Sequence, residues 1–252
     1  MQTFLNKLAT ERNLLIVQDI DGVCIPLVKD PLKREINSSH VDLVYKLNDN
    51  FAVLTNGEHE GKRGVNGVIE RAIGDIDKVK EKGLYLPGLA AGGIQYQDKY
   101  GNVKTPGVTK NEINFLEKVP SIMRKKLKDK LFYNLPFTSK EELIRQVKFA
   151  VLDTELSPTI NMNGLFSLFE GQVDLQVKIQ KIVKELMEEL IDESQSLGLS
   201  NSFFLHIAPN QGVEGNRELM KYASESDIGT TDIQFMINGA LKESGLLVLL
   251  NY

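Results

Sequence analysis

An α/β fold is predicted, with a parallel-sheet core interrupted by a large α+β insertion. Two observations predict the core: apolar strand-like runs that each end in polar residues, and a helical pattern of apolar residues between them. The insertion is predicted by a long mixed stretch, from about residue 87 to 235, whose hairpin, helix and strand signals no longer alternate in βαβ order.

The first run, Leu14-Leu15-Ile16-Val17, is continuous and partly β-branched, as in a strand covered on both faces, and stops at Gln18-Asp19-Ile20-Asp21-Gly22. The second, Phe51-Ala52-Val53-Leu54, stops at Thr55-Asn56-Gly57. Between them Val41, Leu43, Val44 and Leu47 fall at helical spacing, completing a βαβ unit. A further crossover helix is expected over residues 65–73, and a third strand at Leu84-Tyr85-Leu86. Residues 92–97 and Val103 flank Asp98-Lys99-Tyr100-Gly101-Asn102, a hairpin signal. Helices are expected over 110–130, 140–150 and 173–197, the last with an apolar stripe from Val173 to Ile191. A polar loop is expected at 157–163, a strand at 203–207 and a helix at 217–223. The expected division is a Rossmann-like core of residues 1–86 and 236–252 around an insertion of 87–235.

Composition excludes several classes. The 252 residues are 42% hydrophobic and 25% charged, ordinary for a globular chain. Lys and Arg number 30 against 34 Asp and Glu, giving a net charge of -4, and the pI is near 5.6. That lacks the broad basic footprint of a nucleic-acid binder. The start of the chain has no continuous apolar stretch of the secretory kind, and the run 246–250 is far short of the roughly 20 residues of a membrane span. The single cysteine, Cys24, cannot form an internal disulfide; it reads as a small apolar group, and a cytoplasmic location is expected.

Chemistry concentrates at Asp19-x-Asp21-Gly22-Val23. Side chains two apart on an extended segment share a side, so both acids can face the space beyond the strand's carboxyl end, where open parallel sheets place ligands. Close carboxylates call for a cation between them, and all-oxygen acidic sites suit Mg²⁺. A carboxylate can also attack phosphorus, splitting one displacement into two steps. A turn-forming Asp pair is the plainer alternative, but the strand context favours chemistry. By itself Thr55 reads as a cap, and Lys242 as a solvated helix lysine with Lys181 and Lys221 as competitors.

Leu-Ile-Val-x-Asp-x-Asp-Gly-Val resembles the first motif of the haloacid dehalogenase superfamily. The resemblance implies Asp19 as nucleophile, Asp21 as general acid and base, both at a Mg²⁺ site, with Thr55 and the amides from Asn56 onward binding the phosphoryl group. It also implies Lys242, near a helix start, as the neutralising cation. Wider stretches, among them residues 13–30, 54–59, 61–64, 83–93, 157–159, 201–204, 208–210 and 229–232, are similar to the cyanobacterial glucosylglycerol-phosphate phosphatases. Membership would imply Mg²⁺-dependent hydrolysis of glucosylglycerol 3-phosphate in compatible-solute synthesis under salt stress, with the glucosylglycerol-phosphate synthase as a candidate partner. The family's fourth, acidic motif has no counterpart after Lys242, where Glu243 is the one acid. The expectation is therefore an amino-terminal portion of a longer phosphatase, lacking the last strands of its sheet. The alternatives are a sucrose- or trehalose-phosphate phosphatase and a non-catalytic binding protein or inactive fragment.

Candidate substrate contacts are Glu58, His59, Lys62 and Arg63 in the Gly-rich loop after Thr55, and Asn210, Thr231 and Asp232 in the insertion. Asn161, Asn163 and His206 lie in similar polar contexts, with turn bonding the plainer role for the insertion residues. No His or Cys stands at metal spacing from His59.

Overall fold

The computed structural model describes residues 2–8, 10–11, 14–26, 28, 31–137, 139–215 and 217–251. Residues 13, 27, 29 and 30, in one of the compared sequence stretches, lie outside the described residues. The chain divides into two compact units, Met1–Gly107 with Gly239–Tyr252, and Val108–Asn238.

In the first unit, helix α1 (Gln2–Leu8) precedes β1 (Ile16–Gln18), α2 (Ser38–Leu47), β2 (Phe51–Leu54), α3 (Val65–Ile73), α4 (Ile76–Lys82), β3 (Gly88–Ala90), β4 (Gln95–Gln97) and β5 (Val103–Lys104). The sheet order is β1-β2-β3-β4-β5. β1, β2 and β3 run parallel, with Gln18 opposite Val53 and Leu54 opposite Leu89, while β4 and β5 are antiparallel additions. Two consecutive parallel crossovers, one through α2 and one through α3 and α4, make this a Rossmann-like α/β core. Val41 and Val44 of α2, Val65, Val68 and Ile69 of α3, and Val79 of α4 form one apolar cluster with Ile20, Phe51 and Val53. Asn37 caps α2 by accepting from the Ser39 amide, and Asp75 caps α4 through the Lys78 amide, so both crossover helices start where their cap residues stand.

The third strand lies four residues later than the expected Leu84-Tyr85-Leu86. Helix α4 runs to Lys82, and Leu84 to Leu86 are consumed as a buried connection whose amides bond to the Val79 and Lys99 carbonyls. Pairing then begins at Gly88. Its φ is +131°, and a Cβ there would stand 2.3 Å from the Val53 carbonyl oxygen, so only glycine permits this approach. The hairpin expected over 92–103 forms as β4 and β5, but on the core sheet. The first segment of the compact unit that holds this hairpin runs to Gly107.

The second unit contains α5 (Lys110–Leu116), α6 (Val119–Asn134), α7 (Lys140–Ala150), β6 (Val151–Leu152), β7 (Thr159–Asn161), α8 (Asn163–Leu168), α9 (Val173–Ser196), β8 (Phe203–Ala208), β9 (Asn210–Glu214), β10 (Arg217–Met220) and β11 (Asp232–Ile237). Its antiparallel sheet has the order β6-β7-β11-β8, with β9 and β10 a separate ribbon. Phe115, Phe203 and Phe235 stack with centroids 4.9 to 5.9 Å apart, and the stripe of α9 is buried from Ile179 to Leu190. One helix expected over 110–130 is two, α5 and α6. The loop expected at 157–163 contains β7, whose Ile160 and Thr159 pair with Ile233 and Gln234.

The helix expected at 217–223 is a strand followed by a loop. Arg217 and Glu218 pair with Glu214 and Val213 across the turn. The buried Gln180 amide donates to the carbonyls of Lys221, Ile228 and Thr230 and accepts from the Ala223 amide, holding the loop open. Tertiary bonding overrides the helical preference of this segment. Helix α10 (Lys242–Leu250) belongs to the first unit. Among the described residues no helix is long and apolar enough to cross a membrane.

Candidate active site

The site is built at the carboxyl end of β1. Past Gln18 the chain alternates: Ile20 is fully buried in the core, while Asp19 and Asp21 keep 38% and 35% of their side-chain surface exposed. The turn after them is tight. The amides of Val23, Cys24 and Ile25 all converge on the Ile20 carbonyl, and the Gly22 amide bonds to the Ile25 carbonyl at 2.8 Å. Burial, with the two aspartates adding to it, pushes the Cys24 thiol up to about 11, so at neutral pH it is an uncharged packing group.

Each aspartate has its own cation. Lys242 Nζ, at the first residue of α10, lies 2.5 Å from Asp19 Oδ2 and 223 residues away in sequence, and Asp19 Oδ1 accepts from the Ile20 amide at 2.8 Å. A close helix approach makes that long-range pairing possible. Gly245, on the same turn face of α10, packs on Gly93, and a Cβ on Gly93 would come within 2.8 Å of the Gly245 Cα. Asp21 is held by Arg34, whose Nη1 lies 2.9 Å from both carboxylate oxygens.

Thr55 ends β2 and is buried, with its amide donating to the Leu89 carbonyl and its hydroxyl accepting from the Gly57 amide at 3.3 Å. A Cβ placed on Gly57 would lie 3.7 Å from Asp21 Oδ2, 3.8 Å from Thr55 Oγ1 and 4.0 Å from Arg34 Nη1. The hydroxyl, the acid and the guanidinium therefore border one small space above the Gly57 backbone. Two acids, two cations, a hydroxyl and turn amides are a set that can accept an anionic group and offer it an oxygen nucleophile.

The loop after Thr55 divides. His59 is 0% exposed, its amide donates to Gln95 Oε1 at 2.7 Å, and its Nε2 lies 3.2 Å from the Gly88 carbonyl. Burial holds it down near 4, so the ring is neutral. Glu58 is buried as well, and its carbonyl accepts from Val65. Both side chains are buried where the chain turns inward to start α3. Lys62 is exposed and Arg63 half-buried, the latter with its carbonyl bonded to Arg34 Nη2.

In the second unit Asp232 Oδ1 accepts from Asn161 Nδ2 and Oδ2 from the Thr231 hydroxyl, each at 2.7 Å, and burial raises its carboxyl above the usual range. Asn210 is exposed and accepts from the Gly212 amide; Asn163 opens α8; and His206 Nδ1 lies 2.9 Å from Glu218 Oε1.

Sequence reasoning missed Arg34. It stands in Lys33-Arg34-Glu35, which reads as a solvated charge run. The one available signal was position, on the loop returning from β1 to the Asn37 cap of α2.

The two carboxylates present only oxygen atoms to a cation, which suits a hard one. Among the described residues no group of three or more His, Cys, Asp or Glu side chains comes together to hold a metal. A Mg²⁺ here would rest on the Asp19 and Asp21 oxygens, with water and substrate oxygens supplying its remaining ligands.

The family described as glucosylglycerol-phosphate phosphatase matches residues 13–252. A glucosylglycerol-phosphate phosphatase of Synechocystis sp. (strain ATCC 27184 / PCC 6803 / Kazusa) is 46% identical over 250 residues, covering 98% of this chain and 59% of that protein. The chain thus spans about three-fifths of that relative's length. The C-terminal domain of a Candida albicans trehalose synthase regulatory protein overlays with a TM-score of 0.47 at 13% identity, over 98% of this chain and 64% of that one. At that score the overlay bears on neither fold nor function. The sequence matches settle the family: the chain is a member of the glucosylglycerol-phosphate phosphatases.

Proposed function

We propose that the first unit carries the phosphoryl-transfer site of a phosphomonoesterase that hydrolyses glucosylglycerol phosphate to glucosylglycerol and inorganic phosphate. The observation that carries the reading is the Asp19–Lys242 pair past the end of β1, together with Asp21, Thr55 and Arg34 bordering one space at Gly57.

In the proposed reaction an Asp19 carboxylate oxygen attacks phosphorus, a new P–O bond forms and the ester P–O bond breaks. Asp21 gives its proton to the departing alkoxide oxygen. In the second step Asp21 takes a proton from water, the water oxygen attacks phosphorus, and the bond to Asp19 breaks to release phosphate. The Thr55 hydroxyl and the amides of Asn56 and Gly57 hold the transferring group's oxygens, and the Lys242 ammonium offsets the charge gathered when a carboxylate meets a phosphate. Mg²⁺, on the Asp19 carboxylate and Asp21, supplies further neutralisation of the phosphoryl oxygens when bound.

Lys62 and Arg63 are proposed for the phosphate's outer edge, and Asn210, Thr231 and Asp232 for hydroxyls of the glycosyl group. The glucosylglycerol-phosphate synthase remains the proposed partner, and the cytoplasm the proposed compartment.

The test is phosphate release from glucosylglycerol, sucrose and trehalose phosphates, compared by kcat/KM in Mg²⁺ buffer. The reading expects the first ester to lead by about tenfold or more, the scale set by one to two well-placed hydroxyl contacts. Equal rates would sink the substrate assignment, and binding without turnover of any ester would sink the enzymatic one.

A further inference from the structure

Arg34 is buried, at 7% of its surface, and nothing in the proposed reaction uses it. Its contacts link three segments. Nη1 holds both oxygens of Asp21 at 2.9 Å; Nη2 donates to the Arg63 carbonyl in the loop that follows Thr55; and its own carbonyl accepts from Arg71 Nη2 of α3 at 3.2 Å. We infer that Arg34 is a positioning residue that aims the Asp21 carboxylate and keeps it in register with Thr55 and Gly57.

Three observations separate this from a pair kept for stability. Asp21 is over a third exposed, and an ion pair with such a partner contributes little to folding, so a guanidinium buried for that purpose alone would be poorly matched. Both hydrogen bonds come from one nitrogen, fixing the carboxylate's direction while each oxygen keeps a lone pair for another partner. The second nitrogen is tied to the loop carrying Thr55, so the guanidinium sets the separation between the acid and the phosphoryl-binding amides. An acid that must reach a leaving oxygen needs that separation kept, since a displacement of about 1 Å costs on the order of 100-fold in rate.

The inference rests on the proposed phosphatase reading, and its test keeps the two apart. Arg34→Gln and Arg34→Lys are compared with wild type for kcat and KM on the preferred ester, with circular dichroism to confirm folding. Arg34→Gln is expected to lower kcat about 30- to 100-fold with KM within about threefold, because the acid and not the binding groups is misplaced. Arg34→Lys, which keeps the charge without the fork, is expected between the two, about 3- to 10-fold below wild type. A folded Arg34→Gln with kcat within twofold of wild type, or a loss carried by KM alone, overturns the inference. Should Arg34→Gln not fold, Arg34→Lys decides by the same criteria. A crystal structure of the folded variant needs no turnover: Asp21 must leave its place by about 1 Å or more while Thr55 stays. An unmoved Asp21 overturns the inference, even if the wild type proves inactive and the phosphatase reading has failed for its own reasons.

Discussion

Adding one methyl group to α10 should disable the site far more than it destabilises the protein. Gly245 is the buried residue of that helix, and a Cβ there would stand 2.7 Å from Leu54 Cδ1 and 3.0 Å from the Gly93 Cα. Carbon atoms in contact prefer about 3.5–4.0 Å. Leu54 can rotate its methyl away, but the Gly93 backbone cannot, so Gly245→Ala must lift α10 by roughly 0.5–1 Å to restore that contact. Overpacking of this kind costs about 1–3 kcal/mol, and replacing a helical glycine by alanine returns up to about 1 kcal/mol. The net loss of stability is therefore about 0–2 kcal/mol, a fall of several degrees in Tm at most for a unit this size. Lys242 stands one turn earlier on the same helix and is carried away from Asp19 by the same movement. Rate should fall by 10- to 100-fold, since misplacement near 1 Å is worth about two orders of magnitude. The assay is kcat for phosphate release beside a thermal melt. Wild-type kcat in Gly245→Ala would refute the claim that the Gly93–Gly245 contact sets the lysine.

Acid sensitivity should trace in part to His59. Its folded value lies near 4, below the ordinary 6.5, because burial opposes the charged ring. The unfolded chain therefore binds the proton more readily, so the stability is complete above pH 6.5 and is lost as pH falls from 6.5 towards 4. At about 1.4 kcal/mol per tenfold this amounts to about 3 kcal/mol. Urea melts of wild type and His59→Gln should diverge in slope with pH across that window, and parallel curves would show that the ring is not buried neutral. Cys24, a protonated thiol held up by burial, should be dispensable for turnover. Cys24→Ala is expected to keep kcat within about twofold, and a loss of tenfold or more would give the sulfur a chemical role.

What could be read in advance follows from where the information is local. The β1 and β2 runs, and the acids and threonine ending them, were legible because strand, turn and polar tip are contiguous in sequence. The motif places Lys242 near a helix start and opposite Asp19; what the sequence does not show is the Gly93–Gly245 contact through which α10 packs. The shift of the third strand from Leu84 to Gly88 turned on one steric fact, the Val53 carbonyl beneath Gly88, which no hydrophobic pattern encodes. The segment 217–223 carries helix-forming side chains and still pairs as a strand, since Gln180, some forty residues earlier, claims the carbonyls of its loop. His59 is a candidate substrate contact because it follows Thr55 in a glycine-rich loop, and its complete burial, which comes from that loop turning inward, has no local signal in the sequence. Arg34 resembled its charged neighbours, and its burial depends on loops 13 and 29 residues away.

The proposed reaction requires Asp19 to form a covalent bond to phosphorus. Acid-quenched turnover of a substrate labelled in its phosphoryl group should leave label on the wild-type chain. That label should be released by hydroxylamine, map to the peptide containing Asp19, and be missing from Asp19→Asn together with phosphate release. Turnover by Asp19→Asn at the wild-type rate, or label on any other residue, would contradict it.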